Sequence, residues 1–238
     1  MHELVGYHRP TSVSDAQVLL ERENRIVLGG GTTIRHDGGG EPTEVVDLQR
    51  VGLDGIETST SSLRLGATTR LQEVADHAEV PDVVRDAAKL EQPSTLRTLA
   101  TVGGTIGACD PESILLTALL AFEAVVGFAD QREIPLGDVL RDGLAPGDLI
   151  THVDITNTGT GALARTGRTP ADKPIVAAVG RTSDGGVRIA LSGIGAVPMV
   201  VDPDKIGDLE PPGDFRGSTQ YRRHLAATLT ARIQERLS

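Results

Sequence analysis

The sequence predicts a mixed α+β protein on three observations. Short aliphatic and β-branched runs end abruptly at glycine clusters, as strands do. Elsewhere apolar residues recur at helical spacing, most regularly at Leu225, Leu229, Ile233 and Leu237. Aromatic residues make up only 2% of the 238 positions, so the core has to be assembled from Val, Ile, Leu and Ala.

Taken in order, Ser14 and Asp15 supply an N-cap for a helix over 16–22. Strands follow at 25–28, 44–48 and 63–68, the first stopping at Gly29-Gly30-Gly31-Thr32-Thr33 and the second preceded by Gly38-Gly39-Gly40-Glu41-Pro42. Two helices are expected at 70–77 and 81–89, with Pro81 in the first turn of the second. Residues 92–110, rich in Thr and Gly, read as irregular. An apolar helix opens at Pro111 and runs to about Phe122, and 123–128 reads as a buried strand. The Thr/Gly run 156–161 reads as a linker, which puts a breakpoint near residue 160. Beyond it, 174–179, 187–192 and 196–201 suggest a small antiparallel sheet, and Ser218 caps a terminal helix over 219–237.

Composition removes several function classes. A formal net charge of -10 argues against a nucleic-acid partner, which needs a concentrated basic face. The longest apolar run, 114–122, is too short for a bilayer and is interrupted by Thr117. The N-terminus shows no basic region followed by an apolar block, so a cytoplasmic protein is expected. Cys109 is the single cysteine, which excludes an intramolecular disulfide and an iron–sulfur cluster held by this chain alone. The six histidines are scattered without metal-ligand spacing, so no metal site is expected.

Two glycine clusters carry the chemical signal. In Gly29-Gly30-Gly31-Thr32-Thr33, glycines after a strand let successive backbone N–H groups point into one concavity, a nest suited to phosphate oxygens. A tight turn between strands explains the same residues. A Rossmann fingerprint fits poorly because no third glycine falls at the required spacing, and the absence of Lys excludes a P-loop. Thr101-Val102-Gly103-Gly104-Thr105 repeats the chemistry, with a sharp bend as its bland alternative. Two donor-rich loops in one chain suit a diphosphate without basic side chains, so an acidic protein is able to hold a dinucleotide.

These segments, with Leu28 ahead of the first, Leu96-Arg97-Thr98-Leu99-Ala100 ahead of the second and Asp110-Pro111-Glu112-Ser113 behind it, resemble the signature segments of a known family. That family is the flavin-binding medium subunit of molybdenum hydroxylases, of the carbon monoxide dehydrogenase and xanthine dehydrogenase flavin-domain type. Tyr7-His8-Arg9-Pro10, Leu65-Gly66-Ala67-Thr68-Thr69, Ala145-Pro146-Gly147-Asp148, Ser192-Gly193-Ile194-Gly195 and Phe215-Arg216-Gly217-Ser218 extend the resemblance in colinear order.

The resemblance implies an α+β FAD-binding fold of two subdomains over 1–157, with a break near 50–60, and a small C-terminal sheet-plus-helix domain over 162–238. It implies FAD held by Leu28, Gly29, Gly30, Gly31, Thr32, Thr33, Thr101, Gly103, Gly104, Thr105 and Asp110, with no catalytic residue of the chain's own. It further implies an electron-transfer role between an iron–sulfur subunit, fed by a large molybdenum subunit, and NAD or another acceptor. The molybdenum cofactor and 2Fe-2S clusters are then expected only on those partner subunits. The alternative is a scaffold subunit of the same fold that has lost tight FAD binding.

The chain departs from the family pattern at three places. Ile114 stands where an acidic residue often contacts the FAD ribose side, so Ile114→Asp is expected to tighten FAD. Thr105 replaces a frequent Asn or Ser. No tyrosine occurs around Ala162-Leu163-Ala164. Cys109 reads as an ordinary loop or buried thiol, Glu112 as a first-turn carboxylate favoured by the helix macrodipole, and Arg97 equally as a diphosphate ligand or an ion-pair partner.

Overall fold

The computed structural model describes residues 4–33, 43–167 and 172–238. These residues form three sheets. The first is parallel, in the order β1-β3-β2, from β1 (Leu4–His8), β2 (Arg25–Leu28) and β3 (Thr43–Asp47). Helix α1 (Val13–Leu20) buries Ala16 and Leu20, which join Val46, Leu48 and Val51 in a small apolar cluster. Its N-cap is Ser12, whose Oγ accepts the Asp15 N–H at 3.1 Å, so the helix begins ahead of the expected Ser14-Asp15. The cluster 38–42 lies outside the described residues.

The second sheet is antiparallel, in the order β4-β5-β8-β6-β7. It is built from β4 (Ile56–Thr58), β5 (Ser62–Gly66), β6 (Val125–Phe128), β7 (Glu133–Pro135) and β8 (Ile150–Thr156). Leu63 and Leu65 on β5 and Val153 and Ile155 on β8 point inward by strict alternation and are fully or almost fully buried. Between β5 and β6 the chain folds α2 (Leu71–Asp76), α3 (Asp82–Glu91), α4 (Ser94–Arg97), α5 (Val102–Ala108) and α6 (Ile114–Ala121), and α7 (Leu136–Asp142) follows β7.

The expectation of irregular chain over 92–110 is therefore corrected: α4 and α5 occupy most of it. Glycine is a poor helix former, and α5 contains Gly103, Gly104 and Gly107, so its helicity comes from its cap and its neighbours. Thr101 Oγ1 accepts the Gly104 N–H at 3.1 Å, and α5 lies on β5 and β8.

Every residue of α6 is buried. An all-round apolar helix needs covering on every side and needs its terminal backbone groups satisfied by other elements. Both needs are met. It packs on α3 and on three strands (β10, β11 and β12) of the third sheet, which comprises β9 (Gly161–Arg165), β10 (Ala177–Ser183), β11 (Gly186–Ser192) and β12 (Met199–Val201) in the order β12-β11-β10-β9. At its N-terminus Ser113 Oγ accepts the Leu116 N–H at 3.0 Å, and Glu91 Oε2 accepts that of Leu115 at 2.8 Å. At its C-terminus Arg188 Nε donates to Leu120 O and Arg181 Nε to Ala121 O, each at 3.1 Å. Arg181 also pairs with Glu123.

The run 156–161 is no free linker. Asn157 N–H donates to Ser61 O at 3.1 Å, Thr160 N–H to Thr182 Oγ1 at 2.8 Å, and β9 begins at once, carrying the Ala162–Ala164 positions into the third sheet. Helix α8 (Thr219–Leu237), capped by Ser218 as expected, covers that sheet with Ala226, Leu229 and Ile233, and a 3-10 turn at Pro203–Asp208 adds Ile206. Ala177, Val179 and Ala190 of the third sheet join the main core around α6. The two parts of the chain thus share one apolar interior. No helix is long and apolar enough to cross a membrane among the described residues.

Candidate functional site

Strand β2 makes its last ladder contact where Leu48 N–H donates to Leu28 O at 3.0 Å, and the chain then turns through Gly29 to Thr33. The turn is pressed against the segment leading into α5. A Cβ on Gly30 would stand 1.7 Å from Leu99 O, and one on Gly29 would stand 2.6 Å from Thr101 Oγ1. Gly31 has φ +71, the left-handed region that side chains rarely enter. The triple glycine is therefore required by packing between two backbones as much as by any ligand.

No other described residue accepts a hydrogen bond from the N–H groups of Gly29 to Thr33, and the hydroxyls of Thr32 and Thr33 are likewise uncommitted. All five residues line a cleft of about 340 Å³ with Thr101, Gly103, Gly104 and Gly107. Ile26, Val27, Leu48, Leu144 and Leu149 give it apolar walls. A second cleft of about 240 Å³ adjoins it, sharing Gly29, Gly30, Thr68 and Thr101 and adding Gln49, Asp54, Arg70, Glu73 and Leu99.

The second glycine segment corrects the expectation of a matching nest. Its N–H groups are already spent: Val102 donates to Thr69 O at 3.0 Å, Gly103 to Ala67 O at 2.8 Å, Gly104 to the Thr101 hydroxyl, and Thr105 to Thr101 O at 2.9 Å. Gly103 is needed because a Cβ there would lie 2.9 Å from Ala67 O. Gly104 and Gly107 present backbone to the cleft. Thr105 is buried, its hydroxyl donating to Thr101 O at 3.0 Å, and it does not line the cleft.

Asp110 also lies elsewhere. It borders a different cleft of about 340 Å³ between α3, α4 and Lys173-Pro174, where it pairs with Lys173 and accepts the Glu112 N–H at 2.9 Å. Helix α6 begins at Ile114 behind its cap Ser113, not at Pro111, so Glu112 precedes the helix and is not a first-turn carboxylate. Arg216 Nη1 donates to its two oxygens at 2.7 and 2.6 Å, tying the segment ahead of α6 to the C-terminal part of the chain. Arg97 donates to Gln72 Oε1 at 2.9 Å and to Lys89 O at 2.7 Å, so it holds α2, α3 and α4 together, and it forms no ion pair among the described residues.

In this third cleft the Glu91 carboxyl is pushed up from the usual carboxylate range by burial, against the opposing pull of the hydrogen bonds at the start of α6. Cys109 caps α5 in the left-handed region at φ 47. Burial and the neighbouring Asp110 charge push its thiol up, so it is a poor nucleophile. Ile114 is 2% exposed within the main core, which overturns the expectation that an aspartate there would serve a ligand.

One group of possible metal ligands exists among the described residues, Glu133, His152 and Asp154, with ligand atoms within 4.8 Å of one another. Arg64 holds both Asp154 oxygens at 2.8 and 2.7 Å and holds that carboxyl well below its ordinary value. The positive charge that the carboxylate calls for is already supplied there.

The residues present fit a dinucleotide. Unspent N–H donors offer hydrogen bonds to phosphate oxygens, and two adjoining chambers accommodate an elongated ligand with a diphosphate at its middle. Sequence reasoning missed Arg70, Thr68 and the apolar walls. The signal was the Leu65-Gly66-Ala67-Thr68-Thr69 segment, which carried resemblance but no assigned role.

This combination of fold and cleft defines a nucleotide-cofactor-binding subunit. Residues 3–157 match the family described as FAD binding domain in molybdopterin dehydrogenase, and the chain belongs to that family. The protein YgfM of Escherichia coli K12, described as uncharacterized, is 30% identical over 248 residues, spanning 94% of this chain and 93% of that protein. The carbon monoxide dehydrogenase medium chain of Afipia carboxidovorans is 26% identical, over 97% of this chain and 95% of that one. A chain of the Cu,Mo-CO dehydrogenase in its cyanide-inactivated form superposes with a TM-score of 0.86 at 23% identity, covering 100% of this chain and 98% of that chain. A chain of quinoline 2-oxidoreductase from Pseudomonas putida 86 does so at 0.84 and 19%, with the same coverage. These structural likenesses establish the fold.

Proposed function

We propose that this chain is the FAD-bearing, electron-relaying subunit of a multisubunit molybdenum hydroxylase. In this reading it receives electrons from an iron–sulfur subunit, itself supplied by a large molybdenum subunit, and passes them to NAD or another acceptor. The observation that carries the reading is the row of uncommitted N–H groups from Gly29 to Thr33 along a cleft. FAD, when bound, supplies the redox chemistry that the side chains lack.

The chain's own part is to hold and shield. Leu28 to Thr33 bring the donors to the diphosphate. Thr101, Gly103 and Gly104 form the facing backbone, and the apolar walls exclude water. Thr105 serves through its bond to Thr101, while Asp110 pairs with Lys173 in the separate cleft between α3 and α4. A single cysteine agrees with clusters carried on other chains.

The absorption spectrum of the purified chain tests the reading: flavin bands near ~370 and ~450 nm support it. A folded chain that stays colourless after incubation with FAD overturns it in favour of the scaffold alternative. That alternative draws support from the spent donors of the second loop and from the aliphatic Ala162–Ala164 stretch of β9.

A further inference from the structure

We propose that Arg70 is a charged ligand of the cofactor's diphosphate, a role that rests on the flavin reading above. The N–H nest offers phosphate oxygens hydrogen bonds but no formal charge. A diphosphate diester carries negative charge on each phosphate, and the chain as a whole is acidic at -10. A cation beside the nest is what the ligand chemistry asks for, and arginine's planar fork suits phosphate.

Arg70 stands at the N-cap of α2, its backbone bridged to Thr101, the residue that opens α5. Its side chain lines the cleft that shares Gly29, Gly30 and Thr101 with the nest cleft. Among the described residues its guanidinium makes no hydrogen bond or ion pair. Among the described residues Arg70 is the one arginine lining either of these two clefts; Arg97 and Arg216, which line other clefts, are committed to Gln72 and backbone carbonyls and to Glu112. Of the two carboxylates in the same cleft, Glu73 is held by the backbone N–H of Arg70 itself at 2.7 Å. Asp54, the other, suits a hydroxyl of the ligand.

Because Arg70 is exposed and unpartnered, replacing it leaves the apo fold intact, which melting of the FAD-free chain verifies. The experiment is an equilibrium FAD titration of the full chain and of Arg70→Gln and Arg70→Lys, at ionic strengths of about 0.02 and about 0.5 M. Arg70→Gln is expected to weaken FAD roughly 10- to 100-fold, the range for a charge-assisted hydrogen bond, and to flatten the salt dependence. Arg70→Lys is expected to recover part of both. The proposal is overturned if Arg70→Gln binds FAD like the unaltered chain, or binds more weakly while keeping its full salt dependence. Failure of the unaltered chain to bind FAD overturns the flavin reading and this inference together.

Discussion

Gly30 and Ile114 show how a single position is decided by what surrounds it. A methyl group at Gly30 would run into the Leu99 carbonyl at 1.7 Å, so Gly30→Ala is expected to push the two glycine segments apart. Destabilisation of about 1–3 kcal/mol, the range for overpacking, and loss of FAD retention are expected together, read by urea unfolding and by absorbance. Wild-type stability in that variant would remove the close approach from the account of the loop. At Ile114 the side chain is 2% exposed and belongs to the main apolar core. Ile114→Asp is expected to lower stability by about 2–4 kcal/mol, measured by urea denaturation. Tighter FAD binding at unchanged stability would restore that position to the ligand.

Helix α6 is the element on which the two parts of the chain converge, and its ends are closed by groups from elsewhere: Glu91, Arg181 and Arg188. Glu91 gives this arrangement a pH dependence. Burial raises its pKa in the folded chain, so the folded state holds a proton that the unfolded state releases. Stability then falls as pH rises from the ordinary glutamate range through the raised folded value, and is level above it. Glu91→Gln keeps an acceptor for the Leu115 N–H and removes the titration. Its unfolding free energy is expected to gain on that of the unaltered chain as pH rises from about 4 to about 8. Parallel stability curves for the two chains would show that Glu91 does not titrate in that window.

At the scale of the whole molecule, one chain with a single cysteine and no acid–base pair assigned to a substrate is expected to be idle by itself. Dye reduction by the isolated chain with candidate hydroxylase substrates should stay far below about 1 per second. Activity should appear when iron–sulfur and molybdenum subunits are supplied, and those two chains should co-purify with it. Substrate oxidation by the single chain at an ordinary enzyme rate would refute the subunit assignment.

By itself the sequence determined what local chemistry can determine. Glycines after an aliphatic run stop β2, a serine before a helical repeat starts α8, and a nine-residue apolar stretch too short for a bilayer becomes the buried α6. The colinear motifs were enough to indicate the family. What only the tertiary structure decided are the features that depend on distant partners. Gly103 and Gly104 become helix because Ala67 and Thr69, some thirty residues earlier, receive the first N–H groups of α5. Strand β9 begins at Gly161, where the run that reads as a linker ends, because β10 offers it an edge. Thr105 and Asp110 leave the glycine cleft, and Arg70 lines the cleft adjoining it, because the direction of a side chain follows from packing and not from its neighbours in the chain. A hydrogen-bond donor is available to a ligand only when no other backbone has claimed it, and that is settled in three dimensions.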